Sequence, residues 1–352
     1  MLSAAALLLP RFGLTAGVEL FPASSAESLS GGGRLPADRG PVEPDDESRD
    51  WTTASQDCAD EKSPVQNELS TTTATSAPPV SSQPKAFWAW AISIGAVLGS
   101  AANSFTDGPN ERFHFTNKNG FGSLRFAGGA DLVSHFVDYG IVAKEFMIVY
   151  SKLGYSETHS RILASSVAWF TNFVTELGDG RGHYGFNYED IVAGTLGIGA
   201  TALISATHSG DLVGFRIGYL IPHANLCCTG VGQGRSYSNE IYTGDLKIVG
   251  LSRRLGFNPG PARYLYFSVT YGTKGYPEAD VPLRERQVGF EFGINFGQIA
   301  RDLGLREDSW VGIAAYLFLD NFRIPYTQIG FYYDMNHHRW HGPGVGVSYG
   351  SH

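Results

Sequence analysis

The stretch GGADLVSHFVDYGIVAKEF, residues 128–146, places Asp131, His135, Asp138 and Glu145 in a run that otherwise reads as an apolar helix. Asp131 and His135 are four residues apart, so on a helix they share a face, one turn from each other. Further along, Glu176 and Asp179 stand three apart at the end of a second helical run, and Asp190 falls in the first turn of a third. An imidazole with several carboxylates is a donor set that suits a divalent metal, and the same groups suit proton transfer. Asp131, His135, Glu176 and Asp190 are therefore the candidate metal ligands. Asp131, His135, Glu176, Asp179 and Asp190 are the candidate catalytic acid/base groups. A divalent metal is the one cofactor that this set suggests.

Each of these residues also has an ordinary structural explanation. Asp190 suits the positive end of a helix dipole, Asp179 in "GDG" suits a turn, and His135 suits a core position with one hydrogen-bonded neighbour. Asp138 and Glu145 have no partners at comparable spacings. The apolar setting favours a functional role, because ionisable groups in such a bundle are costly unless paired or useful.

Three helices must position the cluster. Leu132, His135, Phe136, Tyr139, Val142, Ala143 and Phe146 recur at three- and four-residue spacings and predict a helix over about 130–153, ended by Gly154. Ser156 is the expected N-cap of the second helix, which Gly178 and Gly180 stop, and Asn187 is the expected N-cap of the third. The third is unusually small and apolar, and Gly194, Gly197 and Gly199 would let a neighbour approach closely. Antiparallel packing would bring the end of the second helix, the start of the third and the start of the first to one end of a compact bundle.

The remaining sequence sets the surroundings. Residues 1–84 are expected to form a disordered, acidic, low-complexity tail, since stretches such as "STTTATSAPPVSSQP" bury too little apolar surface to offset ordering. Residues 85–105, KAFWAWAISIGAVLGSAANSF, carry no charge after Lys85 and match a membrane anchor, a signal-like segment or a buried helix. Either membrane reading implies a bacterial-type envelope protein. A net charge of −8 argues against a nucleic-acid partner. Cys58, Cys227 and Cys228 offer neither a disulfide framework nor metal-ligand spacing, so they are expected to be structurally incidental.

From about residue 240 the periodicity becomes twofold. Val288, Phe290, Phe292, Ile294 and Phe296 alternate with small or polar residues, and Ile329, Phe331 and Tyr333 repeat the pattern. With "YLYFSVTYG", "WVGIAAYLFLDNF" and "GVGVSYG" these runs predict about five or six antiparallel strands. They would form a sheet covering the helices with its apolar face, or a barrel whose apolar residues face lipid, with Tyr264, Tyr266 and Trp310 as interface aromatics. Arg323, Asp320 and Glu291 would make an inward polar patch of structural ion pairs. His337, His338 and His341 in "HHRWH" read as an exposed loop. A turn is expected at Asn119–Gly120.

The expected fold class is thus α+β: a helical domain over 106–220, preceded by the 85–105 helix, and a strand-rich domain over 221–352 forming an antiparallel sheet or partial barrel. No serine elbow, phosphate-binding loop, HExxH helix, dinucleotide fingerprint or lipid-phosphatase-like signature is present.

Over roughly residues 100–340 the chain resembles the YfiM-like family of predicted bacterial envelope lipoproteins, a domain of unknown function. The likeness rests on "GGADLVSHF", "TELGDG", "GFNYEDIVAGTLG" and "YSNEIYTGDLKIVGLSRRLG". The family pattern Asp-Lys-x-x-His-Phe, Glu-x-x-Asp-Gly and Phe-x-x-x-Asp falls on Asp131, His135, Phe136, Glu176, Asp179, Gly180, Phe186 and Asp190, with Leu132 in place of the lysine. No lipoprotein cysteine matches, since "SQDC" at Cys58 lacks the preceding small apolar residues. The resemblance implies an envelope location and a fold pattern, with no reaction attached.

The function expected is that of a membrane-associated envelope protein, structural or interaction-mediating, with other envelope proteins as partners. The alternatives are a membrane-associated metal-dependent or acid/base hydrolase or transferase acting on lipid or cell-wall material, and an outer-membrane β-barrel-like protein.

Overall fold

The computed structural model describes residues 83–106, 112–116, 120–182, 184–219, 237, 240–276 and 281–345. The expected tail, the three cysteines and Asn119 lie outside them, apart from the tail's last two positions. The described residues form seven α-helices and a mixed seven-stranded sheet, an α+β arrangement.

Helix α1 spans Gln83–Thr106, α2 Ala130–Lys152, α3 Glu157–Asp179 and α4 Tyr188–Ala206. The start signals act as the sequence predicts. Ser156 accepts the His159 N–H and Asn187 accepts the Glu189 N–H, each satisfying an otherwise orphan donor of the first turn. Gly178 does not stop α3, which runs on to Asp179. Helix α2 is the hub: Tyr139, Ala143, Phe146 and Tyr150 pack with Ala164, Val167 and Ala168 of α3 and Ile198 of α4. A Cβ at Gly197 would lie 1.9 Å from the Phe136 carbonyl oxygen, so α2 and α4 touch backbone to backbone there. Gly199, by contrast, faces open space.

Helix α1 lies along α3 through small and polar contacts. Ser100 Oγ is 2.6 Å from Thr175 Oγ1, which also accepts from Tyr139 Oη at 3.0 Å. Its large residues stay outside: Phe87, Trp88, Trp90, Ile94 and Leu98 are all exposed. Residues Lys85–Phe105 and Tyr188–Ala206 are each long and apolar enough to cross a bilayer.

Seven strands follow: β1 Val213–Tyr219, β2 Glu240–Lys247, β3 Leu265–Lys274, β4 Glu285–Ile294, β5 Phe322–Arg323, β6 Gln328–Asp334 and β7 Arg339–Val345. Helix α5, Ile248–Leu255, follows β2, while α6, Phe296–Asp302, and α7, Trp310–Asn321, lie between β4 and β5. The sheet order is β5-β1-β2-β3-β4-β6-β7, antiparallel except where β5 joins β1. Two expectations change. Residues 310–321 are helical, because "WVGIAAYLFL" is continuously apolar without alternation and Ser309 caps it by accepting the Gly312 N–H. Part of the "HHRWH" run is strand β7, so His341 is a sheet residue and not a loop residue.

The polarity of the sheet decides its role. Along β3, β4 and β6 the polar and small residues are buried, including Ser268, Thr270, Gln287, Glu291, Gln328 and Asp334, while Val269, Phe290, Phe292, Ile329 and Phe331 are exposed. Only the part of the apolar face nearest the helices is covered: Ile217, Tyr242, Tyr271 and Val288 pack with Val137, Ile141 and Phe136 of α2. The polar face curls around itself, since Arg323 on β5 ion-pairs with Glu291 on β4 although three strands intervene in the hydrogen-bonded order. The sheet stays open. Tyr266, expected at a lipid interface, instead lies inside under the Arg216 guanidinium, 3.9 Å from its ring centroid.

The glycine geometry makes paired predictions. Gly197→Ala forces α2 and α4 apart and should lower unfolding stability by about 1–3 kcal/mol, whereas Gly199→Ala should be neutral or stabilising by up to about 1 kcal/mol. Denaturant or thermal unfolding of the purified protein checks both, and equal effects would contradict the packing.

Candidate metal centre

The chain turns that bring the cluster together are local. The loop from α3 to α4 is tied down by the Asp179 carbonyl, which accepts the N–H groups of Gly182 and Gly185. Phe186 in that loop bridges to Phe115 and meets the rings of Phe113 and Phe115. The end of α3 and the start of α4 therefore stand side by side, against the first turns of α2.

Three predicted ligands meet. One ligand atom each from Asp131, His135 and Asp190 lies within 4.8 Å of the others, and all three residues are buried. Glu176, also buried, stands beside them, its Oε1 3.6 Å from His135 Nε2, while Asp131 Oδ1 is 3.8 Å from the same nitrogen. Glu176 Oε2 accepts the Asn187 N–H at 3.3 Å, and Oε1 has no hydrogen-bond partner. Asp179 is outside the tight group. Its negative charge still acts on His135, but it is the last residue of α3 and not the turn residue that the "GDG" pattern suggests, and its carbonyl anchors the following loop.

The orientation of His135 follows from one amide. Asn172 Nδ2 donates to the Ile191 carbonyl at 3.2 Å, which leaves Asn172 Oδ1 facing His135 Nδ1 at 3.3 Å. Only the nitrogen of an amide can donate, so this assignment makes His135 Nδ1 the N–H donor and points Nε2 at the carboxylates. Burial by itself lowers the imidazole pKa, but the carboxylate charges outweigh it and raise the value to about 9. A ligating histidine is commonly held this way, through its second nitrogen. Gly194 makes the arrangement possible, since a Cβ there would lie 2.3 Å from Asn172 Nδ2.

Tyr237 supplies a further hydrogen bond, its hydroxyl donating to Asp131 Oδ1. Three carboxylates, those of Asp131, Glu176 and Asp190, then face one imidazole in a space almost closed to water. Such an excess of negative charge is tolerable only if the site takes up protons or a cation. With His and carboxylate donors together, the set matches a divalent metal of the zinc, manganese or iron type better than magnesium or calcium, which favour oxygen donors alone.

Several contributors were not singled out in the sequence. Asn172 stands four residues before Glu176, so helical spacing could have placed it on the same face. Tyr237 opens the "YSNEIYTGDLK" run quoted for the family resemblance, but nothing in its spacing pointed to Asp131. Glu145, which has no partner at helical spacing, belongs to a different buried network, where it accepts from Asn321 Nδ2 at 3.2 Å.

No protein-family model, curated protein or solved structure matches this chain.

Asn172→Ala leaves the buried imidazole N–H without its acceptor and should cost about 1–3 kcal/mol. The same substitution should move the His135 Nδ1–H resonance away from its hydrogen-bonded position in nitrogen NMR spectra; an unchanged resonance and unchanged stability would contradict the assignment.

Proposed function

We propose that this is a membrane-embedded envelope protein whose helical bundle holds one divalent transition-metal ion between Asp131, His135 and Asp190, with Glu176 alongside. The observation that carries this reading is the convergence of those three ligand atoms within 4.8 Å, drawn from two helices and buried. The unpartnered Oε1 of Glu176 and the orientation that Asn172 imposes on His135 support it. The cation would neutralise the cluster and clamp α2 to α4, which makes the centre a structural one. The resemblance to the YfiM-like family supports the bacterial envelope as its location.

The membrane part of the reading is supported by polarity. Two helices have the length and composition of spans, and the exposed residues of α1, α4 and the outer sheet face are apolar while the curled interior is charged. A water-exposed protein normally shows the reverse, whereas lipid-facing barrels show this pattern.

A second reading has its own observation. The side chains of Asp131 and His135 keep 12% and 10% of their surface exposed, against 1% for Glu176, so the centre opens on one side. That asymmetry suits metal-assisted or acid/base hydrolysis or transfer on lipid or cell-wall material, with Glu176 as the internal proton-holding group.

Elemental analysis of the membrane-extracted chain should show a metal content that falls by one equivalent in His135→Ala and in Asp190→Asn. At free metal about a hundredfold above Kd, binding should add about 2.7 kcal/mol to stability. An unchanged metal content in both variants would sink the reading. Glu176→Gln separates the two roles: retained metal and melting temperature with loss of complementation in a deletion strain indicates chemistry, whereas loss only in step with stability indicates structure. Carbonate washing should leave the chain in the membrane fraction, and its release would refute embedding.

A further inference from the structure

The histidine run near the C-terminus holds a second constellation. His341 on β7 is placed close to Asp334 at the end of β6 and Glu285 at the start of β4, and one ligand atom from each lies within 4.8 Å of the others. Asp334 and Glu285 are buried, and His341 Nε2 is buried without a hydrogen-bond partner. A buried imidazole nitrogen left bare beside two buried carboxylates calls for an explanation.

The two carboxylates are met by Arg339, whose Nη2 is 2.9 Å from Glu285 Oε1 and whose Nε is 3.7 Å from Asp334 Oδ2. This guanidinium reaches in from outside, with 46% of its side chain exposed. His337 holds Asp334 from the other side, its Nδ1 2.5 Å from Oδ2 and its Nε2 2.9 Å from the Pro282 carbonyl. The Asp334 carboxylate is thus fixed in orientation by a neighbour outside the group, as ligating carboxylates commonly are. Neither Arg339 nor His337 reaches His341 Nε2 with a hydrogen bond.

We infer that Glu285, Asp334 and His341 form a second divalent-metal site, suited to zinc or a similar borderline cation, for which Arg339 is a tethered, displaceable counter-ion. One imidazole and two carboxylates supply three donors of a four-coordinate site, and the exposed side toward Arg339 leaves the fourth position to water. The metal would replace the positive charge that Arg339 supplies, and the arginine would swing into solvent, where half of it already lies. The arginine end of these pairs is already close to half exposed, so its head group can move into solvent while the metal takes over the carboxylates. The site shares no residue with the bundle centre and does not depend on it.

The test uses the untagged full chain in detergent micelles, titrated with cobalt(II) and then zinc(II), with the cobalt visible absorption as readout. His135→Ala removes the bundle centre from the count. In that background one equivalent of cobalt should bind with a tetrahedral spectrum, be displaced by zinc, and vanish in His135→Ala/His341→Ala. Arg339→Gln, which removes the competing cation and none of the ligands, should tighten binding about tenfold, the equivalent of about 1.4 kcal/mol. Absence of the cobalt spectrum from a folded His135→Ala chain would overturn the inference. Persistence of the spectrum without His341 would do so as well, and so would weaker binding in a folded Arg339→Gln chain. Failure of the bundle centre would be read separately, in the equivalent sensitive to His135.

Discussion

The buried charge of Asp320 is the interaction on which the join between helices and sheet depends. Its carboxylate receives Lys144 Nζ from α2 at 2.5 Å and Lys247 Nζ from β2 at 2.7 Å, and its carbonyl accepts from Arg216 Nε on β1 at 3.2 Å. Asn321, next to it, accepts from Lys144 at 2.6 Å and donates to Glu145. Isolated charges in such a place would cost several kcal/mol each, so none of these groups can leave without stranding another. One end of α7 therefore sets the position of α2 relative to β1 and β2.

That constraint explains why the sheet turns its polar face inward. Once Arg216, Lys247 and Asp320 are inside, their neighbours must also be polar: Asp245 takes Arg216 at 2.9 Å, Ser268 at 2.6 Å and Thr243 at 2.9 Å, and Glu291 takes Arg323 and Tyr332. The alternate residues of the same strands are apolar and must then point out. Helix α2 covers only some of them, which leaves a band of aromatic and aliphatic side chains outside. The apolar outer band of the sheet is thus a consequence of its charged interior.

The bundle cluster and the sheet interior solve the problem of buried charge differently. Around Asp320 and Asp245 lysine and arginine balance the carboxylates. Around His135 the tight group holds no lysine or arginine among the described residues, and protons or a metal can supply the balance. An apolar layer that includes Val137, Ile141, Ile217 and Tyr242 packs along α2 between the level of Asp131 and His135 and that of Lys144 and Glu145. One helix thus carries two polar levels with opposite solutions.

Local signals in the sequence were enough for the elements that obey local rules. Ser156 and Asn187 marked helix starts, the three-and-four spacing marked α2, and the alternation of β4 and β6 marked strands and which residues share a face. Asp131, His135, Glu176 and Asp190 stood out because charge in an apolar helix is conspicuous at helical spacing. The sequence could not say which sheet face is buried, because period-two alternation is the same whether water or lipid lies outside. It could not show that "WVGIAAYLFL" is a helix, since a short apolar run lacks a period, nor that His341 enters the sheet. Long-range partners were silent for the same reason: Tyr237 meets Asp131 across 106 positions and Lys144 meets Asp320 across 176. Residue type and spacing determined the ligand candidates. Only the tertiary structure, through the backbone contact at Gly197 and the charge junction at Asp320, decided which of them meet.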